Sequence, residues 1–407
     1  RGKMPLSVEY ADLSLAQQVL ERQGTKHLPE MRRFLKQWGT FAQGGDASGL
    51  LLMAFHPINE TIVNIGDGVL GLLEDAHQGA ANHMEQTLDA YLRADQKIHG
   101  ALASASLALG GSAFPFNAPS LPTLGPAERG ASSFYGGADP FLGQQMAEGA
   151  FELGQYAGQL TRRLQDRADK AMSANRSISE SQDPQSYLVT PEEPESEMEN
   201  LRWKAGIIIG GIDWLIEQLT GTSLLNDVLL KYVVGDWRVI DRASTAWSEI
   251  GDALVAVGQN DSEILPALSE WTGKGSEAAN AFIAALAGGT TMLRGAAGSV
   301  SSILGILKLV VKTAAGKILS KLKDLEVRCL RMLAEAAIPV AGWIAATAET
   351  VLLAEQLISD IRFIYKIYNY IFDAIESAAR AQGQLNEVRF TLANIAEAAA
   401  RGIAARA

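Results

Sequence analysis

The chain has 407 residues, 47 % hydrophobic and 20 % charged, which suits two or three globular domains and excludes a fully disordered polymer. A formal charge of −11 argues against nucleic-acid partners, because phosphate neutralisation needs a surplus of Lys and Arg on one face. The single cysteine, Cys329, excludes an intrachain disulfide framework and a cysteine-based zinc site, and its apolar helical setting suits an inert buried thiol.

No early stretch joins a basic segment, an apolar core and a small-residue cleavage site, so no Sec signal peptide is predicted; Arg1 to Pro5 reads as a short leader before Met4. The uncharged apolar runs Gly295 to Leu307 and Ala336 to Ala348 fall short of the ~18–20 residues a membrane span needs. No transmembrane helix is predicted.

The first helical pair occupies Leu13 to His99. Leu13, Ala16, Val19 and Leu20, then Leu28, Met31, Phe34, Leu35 and Trp38, recur at three- and four-residue steps. The breaker cluster Gly44 to Gly49 turns the chain, and Ile62, Ile65, Val69, Leu72, Leu73, Ala80, Met84, Leu88 and Tyr91 form a second stripe. Packing the two stripes together predicts a hairpin that still leaves apolar surface uncovered.

Gly110 to Pro140 is rich in Gly, Pro, Ser and Phe and reads as a flexible connector, followed by an amphipathic helix over Phe141 to Met172. Ser173 to Asn200 is polar and acidic and offers little apolar area against its ordering entropy, which predicts a mobile segment and a domain boundary.

Helical patterning resumes at Leu201. Short helices are predicted around Ile207 to Leu219 and Leu224 to Val234, then a longer one N-capped by Asp236. Its stripe is Trp237, Ile240, Ala243, Trp247, Ile250, Leu254 and Val257, continuing through Leu268 to a turn at Trp271-Thr272-Gly273. A return helix starts at Phe282, with a possible bend at Gly288-Gly289, and runs to Leu325. Ala334 to Gln382, kinked at Pro339, and Leu385 onward complete an all-α chain. The ladder Ile361, Ile364, Tyr365, Tyr368, Ile371, Phe372 and Ile375 reads as core or as an oligomer seam.

The segments "GDWRVIDRASTAWSEIGDAL" and "ALSEWTGKGSEAANAF" read helix, Trp-x-Gly turn, helix. They resemble the WxG helical-hairpin family secreted by type VII (ESX) systems of actinobacteria and their relatives, with "GGIDWLIEQLTG" and "LLKYVVGDW" like the lead-in of large substrates of that kind. Gly273 permits a tight turn, and the Trp271 indole can pack across its tip. The first pair resembles the secretion-associated members of the family. Its Trp38-Gly39 lacks the family's spacing, but in "LDAYLRAD" Tyr91 and Asp95 match the Y-x-x-x-D/E export signal. On a helix these residues share a face. Tyr135/Asp139 and Tyr232/Asp236 have the same spacing, but neither lies late in the second helix of a hairpin.

The resemblance implies four-helix bundles in which the Trp-Gly turn of one hairpin lies near the Y-x-x-x-D tail of the other. This chain carries one of each, and tethering at about millimolar effective concentration favours docking in cis. The expected outcome is a composite signal of Tyr91, Asp95, Trp271 and Gly273. A separate small WxG partner, or the C-terminal helices, are the other ways to cover the hairpins.

Lys308, Lys312, Lys317 and Lys321, continuing to Lys323, Arg328 and Arg331, form a cationic stripe beside Leu307, Val310, Val311, Ile318 and Leu319. It reads as a solvated outer face with Asp324 and Glu326 as local partners, or as a partner or anionic-membrane surface. No enzyme is predicted. "TGKGS" lacks the phosphate-loop spacing, no hydrolase or metalloprotease motif occurs, and the histidines His27, His56, His77, His83 and His99 read as surface or packing residues.

The expected architecture is thus all-α, with antiparallel hairpins in a four-helix-bundle-like core and long C-terminal helices. The units are residues 6–105, linkers over 106–200, a WxG-like hairpin over 201–325, and helices over 326–407. The expected role is that of a type VII substrate, or the export and assembly region of a secreted effector, cytoplasmic before export and secreted after it. The secretion machinery, a small WxG chaperone and further copies of the chain are the expected partners, with no metal or cofactor. The alternative is a secreted membrane-active or pore-forming protein.

Overall fold

The computed structural model describes residues 9–41, 50–109, 112, 115–128, 178–191, 238–268, 271–272, 274–336 and 359, without the side chains of 50–55 and with those of 274–336 only in part. Among the described residues the secondary structure is helical, without strands. α1 spans Tyr10–Arg22 and passes through a wider π-type turn, Gln23–His27, into α2, Leu28–Trp38. α3 covers Leu50–Ala108, α4 Arg238–Ala267 and α5 Lys274–Ala336, with a short 3₁₀ turn at Pro184–Tyr187 between α3 and α4.

The apolar stripes decide what meets what. Leu13, Ala16, Val19, Leu20, Leu28, Met31 and Leu35 are fully buried, and they share a core with Ile62, Val63, Val69, Leu70 and Leu73 of α3. Each such leucine contributes about 1.5–3 kcal/mol, so the stripe outweighs any single polar contact along it. Partner numbers rise along α3 as they fall along α1 and α2: the Phe41 amide donates to Asn59 Oδ1, Arg32 meets Asp67 and Glu74, Gln78 reaches Gly24 and Tyr10 reaches Asp95. The Arg32 guanidinium and the Lys36 ammonium outweigh desolvation at Asp67 and hold its carboxyl below the ordinary carboxylate value.

α4 and α5 are joined by a short turn and pack along each other, with Ile240, Ile250, Leu254 and Val257 facing Ile283, Leu293, Val300 and Leu304 in the same core. Pro266 lacks the amide of its position, and α4 stops one residue later. Gly258 allows close contact, since a Cβ there would lie 2.7 Å from Thr291 Oγ1 and 2.9 Å from the Ala287 carbonyl. α5 is continuous through Gly288-Gly289 and through Leu325, where a bend and a boundary were expected.

α4 packs on the first pair through α2 and α1, and side chains also join it to α3, which runs the same way: Gly66, His77 and Tyr91 face Trp247, Asp261 and Trp271 in that order. A Cβ at Gly66 would stand 2.5 Å from Trp247 Cη2, so only glycine lets the indole lie against the α3 backbone.

The connecting segments depart from expectation. Residues 115–128 fall in the expected flexible connector and 178–191 in the expected mobile tract, yet both are laid against the helices. Gln18 donates to the Pro122 carbonyl at 2.9 Å and accepts from the Leu124 amide at 2.8 Å, while Leu124 and Ile178 bury their side chains. Glu180 is buried with Arg22 at 2.5 Å and Gln23 at 2.7 Å, and Gln182 exchanges backbone bonds with the Asn260 amide at 3.1 and 2.9 Å. Composition measures apolar area and missed these polar anchors. The helices expected over 141–172, 207–234, 334–382 (apart from residues 334–336 and 359) and beyond 385 lie outside the described residues, as do Asp236, Tyr135/Asp139, Tyr232/Asp236 and the aromatic ladder.

Candidate functional site

The junction at the α4–α5 turn brings sequence-distant residues together. The Trp271 amide donates to the Leu268 carbonyl at 3.1 Å, and the Ser276 hydroxyl donates to the Trp271 carbonyl, so both sides of the turn fix the residue. This aims the indole at α3. It is 6 % exposed, and its Nε1–H donates to Tyr91 Oη at 3.3 Å across 180 residues of sequence. Gly273 lies outside the described residues.

One helical turn beyond Tyr91, Asp95 is exposed and accepts the phenol of Tyr10, the first residue of α1. Tyr10 and Tyr91 both pack half-buried against the core. Partial burial, followed by the Asp95 carboxylate, pushes the Tyr10 phenol up to about 12. The surface therefore has contributions from α1, α3 and the α4–α5 turn. Beyond it the end of α3 is largely exposed, including Ile98 and Leu102.

A second, buried polar seam lies nearer the middle of the α3–α4 contact. His77 and Asp261 are both fully buried, with Nε2 and Oδ2 2.9 Å apart. His77 Nδ1 is 2.7 Å from the Leu73 carbonyl, which only accepts, so Nδ1 carries a proton. A second proton must then lie between Nε2 and the carboxylate. Desolvation alone would lower His77, but the Asp261 charge and hydrogen bond outweigh it, and the imidazole is raised above its ordinary value. The unit is an imidazolium–carboxylate pair, and Asp261 Oδ1 has no hydrogen-bond partner among the described residues.

His27, in the π-type turn, is the opposite case. Both ring nitrogens are buried without a hydrogen-bond partner among the described residues, and desolvation lowers it to about 4. Glu249, half-buried beside Asp252, is pushed up to about 7, chiefly by desolvation. No cluster of three or more His, Cys, Asp or Glu suited to a metal occurs among the described residues.

Of the cationic stripe, Lys308 pairs with Asp241 of α4 at 2.6 Å rather than with a neighbour on its own helix. The side chains of Lys312, Lys317 and Lys321 lie outside those described, and so does the Cys329 thiol. Phe282–Leu309 is long and apolar enough to cross a membrane by length and composition, at a mean hydropathy of 1.2. Arg294 and Lys308 interrupt it, so the uncharged run within it is only Gly295 to Leu307. Here both are paired, Arg294 with Asp252 at 2.8 Å and Lys308 as above, and the apolar face lies against α4.

None of the family models, curated proteins or solved structures compared matches the chain. The site therefore stands on its own geometry.

Tyr10 and the His77–Asp261 pair escaped the sequence reading. Tyr10 sits outside every motif, and only the packing of α1 against α3 selects it. His77 has the helical register of a core residue, which could have flagged a buried imidazole, but its partner is 184 residues away.

Proposed function

We propose that this chain is a type VII secretion substrate, or the export and assembly region of a larger secreted effector, and that it works through protein–protein recognition. In this reading α1–α2 with α3, and α4 with α5, are two antiparallel hairpins docked in cis as a four-helix-bundle-like core. Tyr91, Asp95, Trp271 and Gly273 compose the signal read by the secretion machinery. The observation carrying the reading is the Trp271–Tyr91 contact at 3.3 Å, which joins the two family-like motifs at one surface. A small WxG chaperone and self-association remain partners of the same proposal, for apolar surface that the core leaves open. The chain is assigned no reaction.

The test is secretion from a host with an intact type VII system. Tyr91→Ala and Trp271→Ala should each reduce export several-fold relative to cytoplasmic level. Unchanged export of both removes the signal assignment.

The membrane-active alternative draws on the apolar Phe282–Leu309 segment and the lysines that follow it. It requires α5 to leave α4 and to break the Arg294–Asp252 and Lys308–Asp241 pairs. Flotation with anionic vesicles at low salt tests it; recognition predicts no binding.

A further inference from the structure

We propose that Tyr10 is an additional member of the recognition surface, a positioning residue whose phenol orients the Asp95 carboxylate. The inference rests on the reading of Tyr91 and Asp95 as a signal and adds a residue that no motif contains.

Asp95 lies on an exposed stretch of α3, where Arg93, Ala94, Gln96 and Lys97 are also exposed, so no packing restrains its rotamer. Its contact with Tyr10 is the restraint. Tyr10 is itself anchored: its ring packs against the core at the start of α1, and its hydroxyl reaches Asp95 Oδ2. Tyr91 is held in the same way from the other side, by the Trp271 indole. The phenol and the carboxylate that a partner would read are thus each fixed by an aromatic residue from a different element. A carboxylate held by one oxygen keeps the other for a partner's donor. An unrestrained one must be ordered at the moment of binding, at a cost in side-chain entropy.

This ties the signal to the folded state of α1. If α1 undocks, Asp95 loses its restraint even though α3 and its Tyr-x-x-x-Asp spacing are intact.

Tyr10→Phe keeps the ring and deletes the hydroxyl. Losing one solvent-exposed hydrogen bond should cut export by about threefold to tenfold, the range of an ordinary bond, since water screens the charge on Asp95. The double variant with Asp95→Ala should be exported no less than Asp95→Ala alone. A spectroscopic readout runs in parallel: in tyrosinate absorbance titration, a phenol ionising near 12 should be missing from Tyr10→Phe and should move down in Asp95→Asn. A role in folding alone would leave the double-variant relation additive. Normal export of Tyr10→Phe, with Asp95→Ala impaired, overturns the Tyr10 assignment and leaves the signal standing. Normal export of Tyr91→Ala, Asp95→Ala and Trp271→Ala overturns the signal and the Tyr10 role with it, whatever the titration gives. An unshifted Tyr10 in the titration removes the proposed contact.

Discussion

The middle and the end of the α3–α4 contact are built on different physics. In the middle, His77 and Asp261 are fully buried and share a charge-assisted hydrogen bond. At the end, Trp271 and Tyr91 share a longer, uncharged bond beside exposed Asp95. A buried ion pair contributes little net stability when intact, because desolvation offsets attraction, but is costly to break from one side. The partly buried neutral bond at the end carries no charge to strand, so it costs less to break.

The largest expected effect comes from splitting the buried pair. His77→Ala leaves the Asp261 carboxylate buried and uncompensated, and should cost about 3–5 kcal/mol in denaturant unfolding. Asp261→Ala should cost less, because near neutral pH the imidazole sheds its extra proton at little cost, while the carboxylate of the first variant can be neutralised only by protonation well above its ordinary range. Equal losses in the two variants would contradict the ionic assignment.

Gly66→Ala comes next. Its new methyl meets the Trp247 ring at 2.5 Å, and overpacking of that kind costs about 1–3 kcal/mol. Trimming the indole as well, in a Gly66→Ala, Trp247→Leu double variant, should recover part of the loss if the clash is the cause.

The two buried histidines should then pull stability in opposite directions with pH. His77 is raised on folding, so its contribution is fully present below the unfolded value of about 6.5 and is lost as pH rises through its folded value. His27 is lowered to about 4, so the folded state resists its protonation, and stability falls as pH drops from about 6.5 toward 4. Melting temperatures of His77→Gln and His27→Gln across pH 4 to 9 should flatten the alkaline and the acidic limbs, respectively. A variant that flattens the wrong limb would reverse the corresponding assignment.

Tyr91→Phe should have the smallest effect on folding, about 0.5–1.5 kcal/mol or less for one partly exposed neutral hydrogen bond. Export, measured on the same variant, should fall more than stability does. Export that tracks stability alone would merge the two ends of the contact into one structural role.

Periodicity was enough for the helices themselves. The stripe from Leu13 to Trp38 and that from Ile62 to Tyr91 both reappear as buried faces, because spacing at 3.6 residues is local information. The turn at Trp271 was readable for the same reason. The pattern could not show that Gln18, Arg22 and Gln23 would hold residues 115–128 and 178–191 in place, since a handful of polar contacts leaves no apolar signature. Nor could it show that Lys308 would find its carboxylate partner in Asp241 on α4.

What the sequence determined by itself is the all-α character, the main apolar faces and the paired aromatic and acidic motifs, all of which follow from neighbours within a few turns. Tertiary structure alone decided that Trp271 meets Tyr91, that Tyr10 reaches Asp95 and that His77 finds Asp261. Those contacts join residues 85 to 184 positions apart. Hydrophobic burial chooses such encounters through the summed fit of whole helix faces, and no single residue in the string records that sum.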